Sequence, residues 1–335
     1  MQFQKDIQTS DFFKKPVIVT GAAGFIGFYV AKYLLESGAS VVAIDNLNDY
    51  YDIALKETRL NILKSYEHFH FHKIDLIETQ AVKDIFKQTA PDIVIHLAAQ
   101  AGVRYSIDHP FAYVNSNLIG FMSLLEAVRD VRPKHTIYAS SSSVYGHNEE
   151  TPFRTDHRTD HPVSLYAATK KSNEMLAHSY AEMYGLPLTG LRFFTVYGPM
   201  GRPDMSYYKF TKAIIENKPI KIFNNGDMLR DFTYIDDITE GVIGMIFHPP
   251  SSEKAPHDIL NIGHNQPEKL MNMIAFLEEI IGKTAQKEFL PMQTGDVYAT
   301  YADIAPLTAK TSIKPQMSLF EGLKRFVTWY HENYE

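Results

Sequence analysis

The sequence predicts an α/β protein built on a doubly wound parallel sheet, with a smaller mixed region towards the C-terminus. Three observations carry this. Short apolar runs alternate with longer stretches of helical spacing through the first half, a glycine-rich turn joins the first run to the first helix, and an Asp closes the second run. Such alternation implies parallel strands joined by right-handed crossovers.

In chain order, PVIVT (16–20), SVVAID (40–45), FHFHKI (69–74), DIVIHLAA (92–99) and HTIYASS (135–141) read as strands, being short and rich in Val and Ile. Between them, FIGFYVAKYLLES (25–37), AVKDIFKQT (81–89), NLIGFMSLLEAVRD (117–130) and LYAATKKSNEMLAHSYAEMY (165–184) have helical spacing. After LTGLRFF (188–194) the rhythm loosens into aromatic and Pro-containing loops, and Asn224, Asn225 and Gly226 signal a turn. The strand-like DILNIG (258–263) can return to the sheet. Helical patterns over 269–282 and 318–334 would cap a smaller C-terminal domain.

A chain of 335 residues suffices for one large α/β domain or two interleaved ones. The formal net charge of −6 argues against nucleic acid or an acidic membrane surface as the main partner. The absence of Cys excludes disulfides, thiolate metal sites and cysteine nucleophiles. No apolar run approaches about 18 residues and the N-terminus lacks the apolar core of a secretory signal, so a soluble, cytoplasmic protein is expected.

Gly21, Gly24 and Gly27 form a GxxGxxG pattern where the first strand meets the first helix. Glycines there permit a tight turn, a close backbone approach to phosphate and close packing of helix on strand, while the helix N-terminus offers free N–H groups. Asp45 follows 18 residues after Gly27, at the end of the second strand. Its carboxylate can accept from adenosine ribose hydroxyls and would repel a 2′-phosphate, which favours NAD over NADP. Asp75, after the third strand, is placed either to meet the adenine edge or to cap the helix that follows.

Two Tyr–x3–Lys pairs occur, Tyr166–Lys170 and Tyr208–Lys212. On a helix this spacing sets both side chains on one face. Only the first lies within the alternating region, 25 residues beyond Ser141 in the serine run 140–143 that ends the fifth strand. Ligands of open α/β folds bind at that carboxyl edge. A phenol ionises near pH 10 and needs a nearby cation to act as a base at neutral pH, which Lys170 and an oxidised nicotinamide would supply. The second pair is expected to be structural. HFHFH (68–72) puts three His on one strand face, yet lies far from this chemistry and is not expected to hold a metal.

The glycine loop, HLAAQ (96–100), Asn117, the serine strand and Tyr166–Lys170 together resemble the extended short-chain dehydrogenase/reductase superfamily, within it the nucleotide-sugar epimerases and dehydratases. The likeness runs from about Val17 to the chain's end. IDNLNDYYDIALKETRL (44–60), RFFTVYGPMGRPDM, IFNNGDMLRDFTYIDDI and GDVYATYADI look most like UDP-glucuronate 4-epimerases. The resemblance implies a Rossmann-type NAD domain over 16–192, with 234–263 returning to it, and a UDP-sugar domain from 193–233 and 264–335. It assigns NAD to Gly21, Gly24, Phe25, Ile26, Gly27, Asp45, Asn46, Asp75, Leu76, Leu97, Ala98, Ala99, Asn117, Tyr166 and Lys170. Tyr166 would take the sugar 4-hydroxyl proton with Ser141 bonded to the same oxygen. NAD would accept and return the C4 hydride through a 4-keto sugar, and Lys170 would hold the nicotinamide ribose.

The step after the oxidation separates the relatives. Related dehydratases carry Asp-Glu before the Val-Tyr-Gly of the serine strand, and related decarboxylases usually a Glu. Here Ser142 and Ser143 stand instead, which argues for epimerisation. A 4-keto uronate is a β-keto acid, so its carboxylate must be held out of alignment for loss of CO₂. Ser142, Ser143 and Thr195 are candidates, or else serve local backbone. Arg230 suits the diphosphate, Arg202 the diphosphate or the carboxylate. Phe223 would stack on uracil or belong to the core, and Asp296 would bind a ribose hydroxyl or make a turn. The alternatives are an epimerase of another UDP-hexose, a decarboxylase, or an NAD-binding regulator without catalysis. Members of the family commonly dimerise through the helices at about 165–184 and 107–130, so a homodimer is expected.

Overall fold

The computed structural model describes residues 2–293 and 297–334. The chain runs α1 (Gln4–Thr9), β1 (Val17–Thr20), α2 (Phe25–Glu36), β2 (Val41–Asp45), α3 (Ile53–Lys64), β3 (Phe69–Lys73), α4 (Thr79–Thr89) and β4 (Ile93–His96). It continues through α5 (Tyr105–Asp108), α6 (Pro110–Tyr113), α7 (Gly120–Val131), β5 (His135–Ser141), α8 (Leu165–Tyr184) and β6 (Leu188–Phe193). The second half holds β7 (Thr195–Tyr197), α9 (Ser206–Ile215), β8 (Ile220–Ile222), β9 (Leu229–Tyr234), α10 (Ile235–Ile246) and β10 (His257–Ile262). Last come β11 (Pro267–Lys269), α11 (Leu270–Ile281), β12 (Lys287–Phe289), β13 (Ala299–Thr300), α12 (Ala305–Thr311) and α13 (Leu319–Tyr334).

Seven parallel strands form the main sheet in the order β10-β6-β5-β4-β1-β2-β3. The direction of winding reverses between β1 and β4, which opens a crevice at their carboxyl ends. Both faces of the sheet are covered, and the central strands β1, β2 and β4 are almost wholly apolar. Val17 and Val19 pack on one side with Ile238 and Val242 of α10. Ile18 and Val94 pack on the other with Leu124 and Val128 of α7. Beyond β6 a second layer forms around β9, which pairs β7, β11 and β13, while β8 pairs β12. The turn expected at Asn224–Gly226 is present, with three successive positive φ angles of 50°, 50° and 82°.

Helix α3 was not expected, and a second helix departs from its expected bounds. The helix read at 117–130 begins at Pro110 and runs unbroken to Val131 through a wider turn at Val114–Ile119. By length and composition alone this stretch could cross a membrane, but half of it is buried, against α4 and α8. It is a core helix with one outward apolar face.

Candidate active site

The site begins where β1 ends. Gly21 turns the chain at φ +74°, and a methyl group there would lie 2.6 Å from the Ala98 nitrogen on the far side of the crevice. At Gly27 it would lie 2.1 Å from the Gly21 carbonyl oxygen, and at Gly24 2.9 Å from the same atom. No side chain fits at these positions, and the first turn of α2 is left open to the cleft with Gly24 as its N-cap. Asp45 ties the loop to β2, accepting from the Ala23 N–H at 3.1 Å and the Leu47 N–H at 2.9 Å. Asn46 donates to Asp75 at 2.8 Å. Asp75 also accepts from the Ile77 N–H at 3.1 Å, but α4 starts only at Thr79, so its capping role is confined to the turn before the helix.

A deep cleft runs from these residues to the end of β5. Gly21, Gly24, Phe25, Ile26, Gly27, Asp45, Asn46, Asp75, Leu76, Leu97, Ala98, Ala99, Ser141, Tyr166, Lys170 and Arg202 all line it. Asn117 lies behind its wall: the amide accepts from the Gln100 N–H at 2.8 Å and donates to the Gln100 carbonyl and the Thr169 hydroxyl, each at 3.0 Å. Its polar atoms are spent on holding the β4 loop to α8.

The Ser164 hydroxyl caps α8 by accepting from the Ala167 N–H at 3.1 Å, which fixes Tyr166 in the first turn. Burial pushes the Tyr166 phenol above its ordinary pKa, whereas its hydrogen bond with Ser141 and the Arg202 charge pull it down. Lys170 is 2% exposed and donates to the Ala139 carbonyl at 2.9 Å. Burial pushes its pKa down to about 8. The ammonium is thus turned to the strand, and Ser141 and Arg202 ease ionisation of the phenol. His96 behind Lys170 is buried, bonded to Thr20 at 2.8 Å and pushed down to about 3 by burial, so it stays neutral beside the lysine.

The sequence profile of the NAD dependent epimerase/dehydratase family matches residues 17–263. The chain belongs to this family. It is 47% identical over 319 residues to a UDP-glucuronate 4-epimerase of Thermodesulfobacterium geofontis, covering 95% of this chain and 97% of that protein. With UDP-glucuronate 4-epimerase 1 of Arabidopsis thaliana it shares 43% identity, across 100% of this chain and 82% of the plant protein. Among solved structures it is similar to the UDP-glucuronic acid 4-epimerase of Bacillus cereus in complex with UDP-glucuronic acid and NAD. The TM-score is 0.88 at 35% identity, with 95% of this chain and 100% of that one covered.

In this member of the epimerase/dehydratase family the remaining expected residues are more dispersed. Arg202 grips Asp204 through two hydrogen bonds of 2.9 and 2.6 Å, and Tyr50 donates to the same carboxylate at 3.0 Å. Ser142 and Ser143 form a single turn after β5, in which the Ser143 N–H donates to the Ser141 hydroxyl at 3.2 Å. Thr195 is half-buried on β7, paired with Phe232 of β9. The Arg104 guanidinium lies 4.9 Å from the Phe223 ring centre, bridging the β4 loop and the second layer. Arg230 donates to the carbonyls of Leu229, Val297 and Tyr298 at 2.8, 2.8 and 3.0 Å. Asp296 lies outside the described residues. The rival pair divides on α9: Tyr208 is packed among Phe326, Trp329 and Tyr330, and Lys212 is exposed beside Glu216.

Sequence reasoning missed the pair beneath the serine strand. Glu174 accepts from Arg192 at 2.8 and 2.9 Å and from the Ser140 hydroxyl at 2.7 Å, all buried. Burial opposes the carboxylate charge, but the bonds to Arg192 and Ser140 hold its pKa below the ordinary range. Its spacing, one turn beyond Lys170 on the same helix face, was the available signal.

Proposed function

We propose that this protein interconverts UDP-glucuronate and UDP-galacturonate by reversible oxidation at C4. The observation that carries the reading is the placement of Ser141, Tyr166 and Lys170 together in a cleft that also holds the glycine cradle, with Ser142 and Ser143 next in the chain where an eliminating enzyme needs acids. The cradle, Asp45 and Lys170 fit a dinucleotide, since glycine at 21, 24 and 27 lets the loop pack directly against Leu97, Ala98 and its own backbone, which leaves the first turn of α2 facing the cleft for a pyrophosphate. NAD bound there would supply the acceptor and donor of the C4 hydride.

The chain's own residues supply the rest. Tyr166 takes the 4-hydroxyl proton and later returns it, and Ser141 holds the same oxygen in place. Lys170, pinned to Ala139, has donors left for the nicotinamide ribose. Ser142, Ser143 and Thr195 offer neutral hydroxyls to the uronate carboxylate. They can orient it without protonating it or its neighbour, which suits a substrate that must not lose CO₂. Arg202 is the cation for the carboxylate or the diphosphate. Arg230, already bonded to three carbonyls, supports that end through the backbone of 297–298. The test is direct: with UDP-glucuronate, proton NMR should show UDP-galacturonate growing to equilibrium without loss of carbon. A pentose product would establish a decarboxylase, and turnover of UDP-glucose alone would move the specificity to neutral sugars.

We further propose a homodimer in the cytoplasm. Leu118, Ile119, Met122, Met175 and Leu176 line a shallow apolar groove between the 110–131 helix and α8, and Ile119 and Met175 are strongly exposed. A second copy laying the same two helices across it would bury this face as a four-helix contact. Sedimentation should give twice the chain mass, with Met175→Glu shifting it to monomer. A wild-type monomer at micromolar concentration would rule the dimer out.

A further inference from the structure

Helix α3 turns two basic residues inward, Lys56 and Arg59. Arg59 is fully engaged by the Ala23 and Met200 carbonyls and the Tyr51 hydroxyl. Lys56 is not. It is 5% exposed and lines the cleft together with Gly24 and Asp45. Its ammonium donates to the backbone and side-chain oxygens of Asn48, at 2.7 and 2.6 Å, and lies 4.7 Å from the Tyr51 ring centre. An ammonium has three donors, so one remains.

Among the described residues no carboxylate forms an ion pair with it. Asp45, the acid that acts on it most strongly, spends its oxygens on the Ala23 and Leu47 N–H groups. Burial accordingly lowers the lysine's pKa. A buried cation held by neutral oxygens is costly unless a bound anion completes it. The glycine loop supplies the converse need, since no Lys or Arg occurs between Val17 and Tyr29. A diphosphate resting on that loop would find N–H groups but no cation of the loop's own, and the neighbouring Arg59 already has its donors engaged.

We infer that Lys56 is a phosphate-binding residue of the cleft, with its free donor and its charge serving the pyrophosphate of the dinucleotide. This rests on the NAD reading above. Asn48 is then a positioning residue that fixes the ammonium without quenching it, and Tyr51 shields it from water.

Calorimetry on the full chain freed of nucleotide separates the two claims, with ADP-ribose as the phosphate-bearing probe and adenosine as the control. Wild-type protein should bind ADP-ribose, and failure there would sink the dinucleotide reading itself. Lys56→Met should weaken ADP-ribose about ten- to a hundredfold, the loss of one charge-assisted hydrogen bond. Adenosine binding should be unchanged, and Lys56→Arg should recover most of the affinity. Equal ADP-ribose affinity in Lys56→Met, or an equal loss for adenosine, would overturn the assignment. So would a loss confined to 2′-phospho-ADP-ribose, which would put the lysine at the ribose instead. Lys56→Gln, which keeps a donor to Asn48, carries the same comparison if the Met variant does not fold.

Discussion

Tyr166→Phe should lower kcat for UDP-glucuronate by about 10²- to 10⁴-fold while the purified protein keeps its nucleotide. Phe preserves the ring and its edge contact with Tyr113 at 6.1 Å, so the helix start is undisturbed. What disappears is the one hydroxyl that faces both Ser141 and the field of Arg202. Because burial raises the phenol, it is neutral at rest and becomes a base only when cations in the cleft draw its proton away. Activity should therefore climb with pH on the acid side of the profile, since the proton must leave before the oxygen can accept another. The Gly21–Gly27 loop and Asp45 lie at the far end of the cleft and are untouched, so nucleotide content by absorbance ratio should match wild type. Turnover within tenfold of wild type would remove Tyr166 from the role of base.

The largest effect on stability is expected at Glu174. Removing it with Glu174→Ala leaves the Arg192 side chain, 3% exposed, without its partner. Breaking such a pair costs about 3–5 kcal/mol, because an uncompensated charge stays buried. Urea unfolding monitored by fluorescence should show that loss, whereas Glu174→Met with Arg192→Met should recover much of it by removing both charges. The single change should also depress kcat, since Ser140 loses its anchor one residue before Ser141. Equal stability of the single and double variants would show that an unpaired, buried Arg192 costs nothing, against this expectation.

The readable parts of the sequence are those where one physical demand dominated. The central strands β1, β2 and β4 are buried and almost wholly apolar, and five short runs rich in apolar residues marked β1 to β5 within two or three residues of their ends. Glycines with no room for a methyl group declared the phosphate turn. Helix α3 stayed hidden because Lys56 and Arg59 share its inner face with Leu55, Leu60 and Leu63, so the usual apolar stripe is interrupted. The Glu174–Arg192 pair joins residues from α8 and β6, and no local pattern records a contact made only by folding. The residue type of Arg230 suits a diphosphate, but its bonds to carbonyls 67 and 68 residues away are long-range contacts that no local pattern records.

The last strand of the main sheet has a consequence for how the chain is made. β10 pairs alongside β6 residue for residue, from His257↔Leu188 to Ile262↔Phe193, yet is synthesised after the excursion 194–256. Until it arrives, β6 is an entirely buried-type strand left as a bare edge, the kind of template that recruits other chains into aggregates. A fragment ending near residue 193 should therefore precipitate instead of yielding a soluble nucleotide-binding half. On the ribosome, the sheet must wait for its own closing strand.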